Sequence, residues 1–138
     1  PLRLRRTLHV RERLELAAMQ SAAADLVGRR DFASFQAAGS RAGPTIRSLT
    51  RARVTGEARG DLRFELEGDG FLRHMVRNVV GTLLEIGLGR RAADSVPALL
   101  AARDRSRAGP TAPAAGLTLV RVDYGDGVGY PTPLPGGT

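Results

Sequence analysis

The segment from Phe71 to Leu88 constrains the fold more than any other part of the chain. Leu72, Met75, Val76, Val79, Val80, Leu83, Leu84 and Ile86 recur at helical spacing and make a wide apolar face. Arg73, His74, Arg77, Asn78, Gly81, Thr82 and Glu85 make a narrower polar one. A helix this apolar has to be packed around most of its circumference. Gly87 and Gly89 end it.

The other segments supply the packing partners. Leu2, Leu4, Leu8 and Val10 alternate with Arg3, Arg5, Thr7 and His9, the period of a half-buried strand. This pattern is already under way at residue 2 with no initiating Met, so the chain reads as cut from something longer. Leu14, Ala17, Ala18, Ala22 and Leu26 give an alanine-rich helix, with Gly28 as its stop. Asp31 is placed to cap a short turn over Phe32–Phe35, and residues 39–45 are loop chemistry. Arg47 to Thr55 reads as a strand, with Thr50, Ala52 and Val54 on one face and Arg47, Leu49, Arg51 and Arg53 on the other. After a turn at Gly56–Gly60, Leu62, Phe64 and Leu66 alternate with Arg63, Glu65 and Glu67 as the return strand of a hairpin. A second helix spans Ser95 to Asp104, with Pro97 in its first turn. A loop to Gly116 and a last strand over Leu117–Val122 follow. The order is strand, helix, hairpin, helix, helix, strand. It predicts an α+β domain over residues 1–124, a largely antiparallel sheet with helices packed on one face, and a Gly/Pro-rich tail at 125–138.

Charge narrows the partners. The chain carries 21 basic residues, every one arginine, against 14 acidic ones, a net charge of +7. That balance points to a polyanion. There is no cysteine, and His9 and His74 are far apart, so neither a disulfide framework nor a metal site is expected. No apolar run approaches the roughly 20 residues of a membrane span. The expectation is a soluble, cytoplasmic protein with no membrane partner.

Three features of the 71–88 segment are unusual. Arg73 and Arg77 are four apart and share a helix face, where they repel. Gly81 follows Arg77 by another four residues, although glycine inside a helix costs about 1 kcal/mol relative to alanine. Arg77 sits on a narrow polar face, close to buried, and no acid lies between Leu72 and Leu84 to partner it. Two readings follow. Either the arginine stems reach solvent, with Glu85 balancing part of the charge, or Arg77 pairs with a carboxylate from elsewhere beside a cleft that receives RNA.

Phe71-Leu-Arg-His-Met-Val-Arg-Asn-Val-Val-Gly-Thr-Leu closely resembles the motif Phe-Leu-x-His-Met-Val-Arg-Asn-x-Val-Gly-Thr-Leu of the tRNA pseudouridine synthase A family. Further blocks resemble the same family in the same order: Asp31-Phe-Ala-Ser-Phe, Leu99-Leu-Ala-Ala-Arg-Asp-Arg, and Ala108-Gly-Pro-Thr-Ala-Pro followed by Gly116-Leu-Thr-Leu-Val. Together they cover roughly residues 10–124 and correspond to the family's carboxy-terminal half.

The resemblance implies an enzyme that converts uridines of the tRNA anticodon stem-loop to pseudouridine, as a homodimer, with no cofactor and no metal. It implies that Arg77 forms an ion pair with a nucleophilic aspartate. Phe71, His74, Met75, Asn78 and Gly81 support that site, and His74 is read as a structural residue and not a base. The nucleophile belongs to an Arg-x-Asp-x-Gly-Val-His segment of the amino-terminal half, which this chain lacks. Arg121-Val-Asp123-Tyr-Gly125 imitates part of it without the Val-His, and Asp123 is read as a strand-end acid. The chain is therefore expected to be inactive alone. The loop Gly39-Ser40-Arg41-Ala42-Gly43 resembles one that touches tRNA, with Arg41 either a phosphate contact or a solvated surface arginine. Arg73 stands where an aromatic or histidine is usual, and adds either a phosphate contact or nothing. Arg47, Arg51 and Arg53 either extend a basic stripe or pair with Glu65 and Glu67. Phe32 and Phe35 are read as core. The competing functional reading is a noncatalytic basic RNA-binding or dimerisation module of the same descent.

Overall fold

The computed structural model describes residues 2–10, 12–40, 43–56, 60–112 and, as backbone, 117–124. The elements are β1 (Leu2–Val10), α1 (Leu16–Ala24), β2 (Gly28–Asp31), β3 (Ile46–Gly56), β4 (Gly60–Gly68), α2 (Met75–Gly87), α3 (Val96–Ala102) and β5 (Leu117–Tyr124). Short 3₁₀ turns lie at Ala33–Phe35 and Arg105–Arg107. The strands form one five-stranded sheet in the order β2-β3-β4-β1-β5, with every neighbouring pair antiparallel. This is the α+β architecture the element order predicts. No helix among the described residues is long and apolar enough to cross a membrane.

Alternation decides which face of the sheet is covered. Leu4, Leu62, Phe64 and Leu66 are buried and in register on one face, joined by Val10, Leu49 and Val54. The helices supply Met19, Ala22, Met75, Val76, Val79, Val80, Leu83 and Ile86 to the same core. Phe32 and Phe35 lie inside it with their rings 6.3 Å apart. The opposite parity carries an ion-pair ladder. Glu67 pairs with Arg3 at 2.8 Å, and Glu65 bridges Arg5 at 2.7 Å and Arg51 at 3.4 Å. Arg51 is thus a ladder member and not part of a free basic stripe, while the Arg47 guanidinium folds back onto the carbonyls of Pro44 and Ile46.

Four sequence expectations are corrected. The helix expected from Phe71 begins at Met75, because the chain turns through residues 73–74 with His74 in the left-handed region at φ 59. Arg73 therefore precedes the helix and does not share a helical face with Arg77. The first helix ends at Ala24, and Gly28 opens β2 at φ +114 instead of stopping the helix. That strand is short and polar and shows no alternation; it exists by pairing with the edge of β3. In β3, Leu49 and Val54 both reach the core despite opposite parity, because the register slips between Leu49 and Arg51. The helix expected over 95–104 is shorter, since Arg103 leaves it in the left-handed conformation at φ 52. The first and last strands of the chain, β1 and β5, pair with each other, and Asp123 lies in β5 opposite Arg3. Arg41, Ala42 and the tail from Gly125 lie outside the described residues.

Candidate active site

The site is built where α2 meets the irregular segment at residues 108–112. Gly81 permits the approach: a Cβ there would overlap the carbonyl oxygen of Pro110. Gly109 permits it from the other side, since its own Cβ would stand 2.8 Å from Thr82 Cα. The segment is then tied down by side chains of the helix. Thr82 Oγ1 donates to the Asn78 carbonyl at 2.9 Å and accepts from the Gly109 amide at 2.9 Å. The glycine inside the helix thus trades propensity for contact with a neighbouring backbone.

Arg77 is half-buried on the face of α2 that this segment covers. Its Nε donates to the Ala112 carbonyl at 3.1 Å, and the Ala112 amide donates back to the Arg77 carbonyl at 3.1 Å. Among the described residues no carboxylate pairs with Arg77. Glu85, the acid on its own helix, is instead taken by Arg91 at 3.0 Å. With Nε held, the edge formed by the two terminal nitrogens makes no hydrogen bond to a described residue, and that edge can grip a carboxylate with two parallel hydrogen bonds. Glu85 thus makes no ion pair with Arg77 among the described residues.

Asn78 is fully buried and organises the neighbourhood. Its Nδ2 donates to the Phe35 carbonyl at 2.7 Å, and its Oδ1 accepts from Thr111 Oγ1 at 2.6 Å and from an Arg105 Nη at 3.0 Å. Met75 is core, and Phe71 packs half-buried against it. Of the residues expected to support the site, Asn78 and Gly81 thus shape it through hydrogen bonding and close approach. Phe71 and Met75 act by packing.

Beside the entry to α2 lies an open cleft of about 440 Å³. Arg73, His74, Arg105, Ser106 and Thr111 line it with Ala37 and Ala38, and no acidic side chain does so among the described residues. The Ala37 amide donates to the Arg73 carbonyl at 2.9 Å, which joins the foot of the 39–43 loop to the start of the helix. Ser40 closes that foot by donating from Oγ to the Ala37 carbonyl at 2.6 Å, and Gly39 takes φ +74. Gly43 is exposed on the far side of the loop. Arg73 is exposed. The structure therefore brings Arg73, His74 and, from the foot of the loop, Ala37 and Ala38 to one cleft, with Gly39 and Ser40 not among its lining, while Arg77 turns toward Ala112.

The titratable side chains that line the cleft are all basic. Burial lowers the His74 pKa, and the charges of Arg73 and Arg77 lower it further. Burial likewise lowers that of Arg105. Arg6 of β1 is fully buried, and its pKa is lowered by that burial and then by the charge of Arg77. Sequence reasoning passed over Arg6, Arg105 and Thr111. A cation on the apolar parity of a strand was the available signal for Arg6. Arg105 and Thr111 sit in loop-like blocks, and their partners are set only by the fold.

An anchored guanidinium with no carboxylate partner among the described residues thus lies next to a cleft whose charged lining is basic. Comparison with known proteins gives the family. The sequence model for a tRNA pseudouridine synthase family matches residues 22–125. A tRNA pseudouridine synthase A from Myxococcus xanthus is 47% identical over 137 residues, covering 98% of this chain and 51% of that protein. The namesake from Moorella thermoacetica is 50% identical over 116 residues, covering 84% and 47% respectively. That from Acetivibrio thermocellus is 45% identical over 119 residues, covering 86% and 48%. The chain belongs to the tRNA pseudouridine synthase A family, and it spans about half the length of these relatives.

Proposed function

We propose that this chain is the part of a tRNA pseudouridine synthase that supplies the arginine of the active site, and that the aspartate nucleophile comes from the remaining half of the protein. The observation that carries this reading is Arg77. It is half-buried, held by Nε to Ala112, and lacks a carboxylate among the described residues. An aspartate brought against the free edge of that guanidinium would have its pKa lowered by roughly 1–3 units and stay ionised for attack. The aspartate then attacks the target nucleoside, the glycosidic bond breaks, and the uracil turns and rejoins through carbon. The uridine has to leave its stack to be reached. We place the target in the anticodon stem-loop, with the cleft at Arg73 and the loop at residues 39–43 against the RNA backbone.

The test is an assay for pseudouridine on unmodified tRNA with the chain alone and with the chain joined to the remaining half. The chain alone should give none, since positioning does not replace a covalent step. The joined protein should be active. Turnover by the chain alone would overturn the proposal and make Asp123 the residue to mutate. An inactive joined protein that still binds tRNA would favour the noncatalytic RNA-binding reading.

A further inference from the structure

We infer that Arg105, acting through Thr111 and Asn78, is a positioning residue that aims the Arg77 guanidinium. The inference rests on the reading of Arg77 as the partner of the nucleophile.

The donors and acceptors admit one arrangement. Arg105 is a donor only. One terminal nitrogen donates to the Gly109 carbonyl at 2.8 Å; the other donates to Asn78 Oδ1 at 3.0 Å and to Thr111 Oγ1 at 3.1 Å. Thr111, having accepted from Arg105, spends its single proton on Asn78 Oδ1 at 2.6 Å. The Asn78 amide is thereby oriented, because Oδ1 faces two donors and Nδ2 faces the Phe35 carbonyl at 2.7 Å. Reversing any member would set donor against donor. Arg105 therefore grips the backbone at Gly109 and the side chain at Thr111 while holding both to α2.

Ala112 is the next residue. It is bonded to Arg77 in both directions, amide to carbonyl and carbonyl to Nε, each at 3.1 Å. The chain of contacts runs Arg105, Thr111, Ala112, Arg77, and each step is a hydrogen bond or a peptide bond. Asn78 lies in the same helix as Arg77, so the clamp and the aimed side chain share one rigid element. A planar fork is required at 105, because an ammonium cannot reach Gly109, Asn78 and Thr111 in that geometry.

The test has two arms. In the chain itself, Arg105→Lys and the near-isosteric Thr111→Val should expose the Arg77 Nε–H and the Ala112 amide to hydrogen exchange about tenfold faster, since the clamp opens locally. The amides of Val79, Val80 and Leu83 should keep their protection. Thr111→Ser, which retains the hydroxyl, should restore protection at Arg77 and Ala112. In the protein completed with its remaining half, Arg105→Lys should slow single-turnover chemistry at saturating tRNA about 10–100-fold, as expected for a misaimed group.

Unchanged exchange at Arg77 and Ala112 would overturn the inference. So would loss of protection throughout α2, which would mark Arg105 as a general structural residue. If Arg77→Met left chemistry intact while the exchange result held, the catalytic reading of Arg77 would fail and the clamp would stand.

Discussion

Gly81 lies with its α-carbon against the carbonyl oxygen of Pro110, leaving no room for a side chain on the helix at that point. An alanine would ordinarily gain about 1 kcal/mol here as the better helix former. The obstacle is backbone and not a flexible side chain, so the 108–112 segment would have to move. Gly81→Ala is therefore expected to destabilise the chain by about 1–3 kcal/mol, the usual range for overpacking. Urea denaturation measures this. A stabilised variant would show that the close approach is not maintained in solution.

His74 gives a pH signature. Its pKa lies below 6.5, first through burial and then through the charges of Arg73 and Arg77. A base with a depressed folded pKa binds its proton more readily when unfolded. Stability is thus full above the unfolded value and falls as the pH drops through 6.5 toward the folded pKa. His74→Gln should flatten that part of the stability profile. Arg73→Ala should raise the His74 midpoint, seen by NMR titration, without returning it to the ordinary value, because burial is the larger cause. An unmoved midpoint would mean that Arg73 and His74 do not face each other.

The fold was legible wherever periodicity meets burial. The alternations of β1 and β4 and the apolar face of α2 follow directly from Leu4, Phe64, Leu66, Val79 and Leu83. What was illegible depends on partners distant in sequence. β2 is a strand only because β3 offers an edge, and the slip that brings Leu49 and Val54 to the same core breaks the parity a strand pattern assumes. The site divides likewise. Arg77 and Gly81 were visible as anomalies on a narrow polar face. Arg105 and Thr111 acquire their roles from Asn78, 27 and 33 residues away.

Glu65 is the hinge of the ion-pair ladder. It receives Arg5 from one neighbouring strand and Arg51 from the other. Burial acts to raise its pKa, and the hydrogen bonds and charges of the arginines outweigh that, leaving it lowered. This contribution is present at neutral pH and is lost as the pH falls through the folded pKa. Glu65→Gln removes the charge and keeps the shape. It should cost about 1.5–3 kcal/mol at neutral pH, the range for hydrogen bonds to charged groups, and much less in acid. Thermal melts at the two pH values decide it; equal losses at both would point to packing instead of charge.

Binding of tRNA by the chain alone should be weak and salt-sensitive, because phosphate contacts made by a chain of net charge +7 would release counterions. Arg73→Ala should weaken binding evenly across RNA sequences and reduce the magnitude of the salt slope by about 1. Arg41→Ala should do the same if that loop meets the backbone. Titrations at low and moderate salt measure both, and affinity indifferent to salt would remove the electrostatic account.

Arg77 should matter more than any other arginine once the chain is joined to the rest of the protein. Its Nε is committed to Ala112 at 3.1 Å, and the gripping edge is left for a carboxylate. Lysine presents one nitrogen for both tasks and loses the planar fork. Arg77→Lys should therefore show a moderate loss, either of the anchor or of the grip. Arg77→Met keeps the approximate bulk and removes both, and should cost about 10²–10³ in the chemical step, comparable to deleting a transition-state hydrogen-bond donor. Binding of tRNA should change little in either variant, because in the proposed site the guanidinium serves the nucleophile and not the RNA backbone. Arg73→Ala should behave in the opposite way, sparing chemistry and weakening binding. Single-turnover rates and dissociation constants for the three variants separate the roles. Normal single-turnover rates in Arg77→Met would return Arg77 to the status of a structural arginine that ties α2 to Ala112.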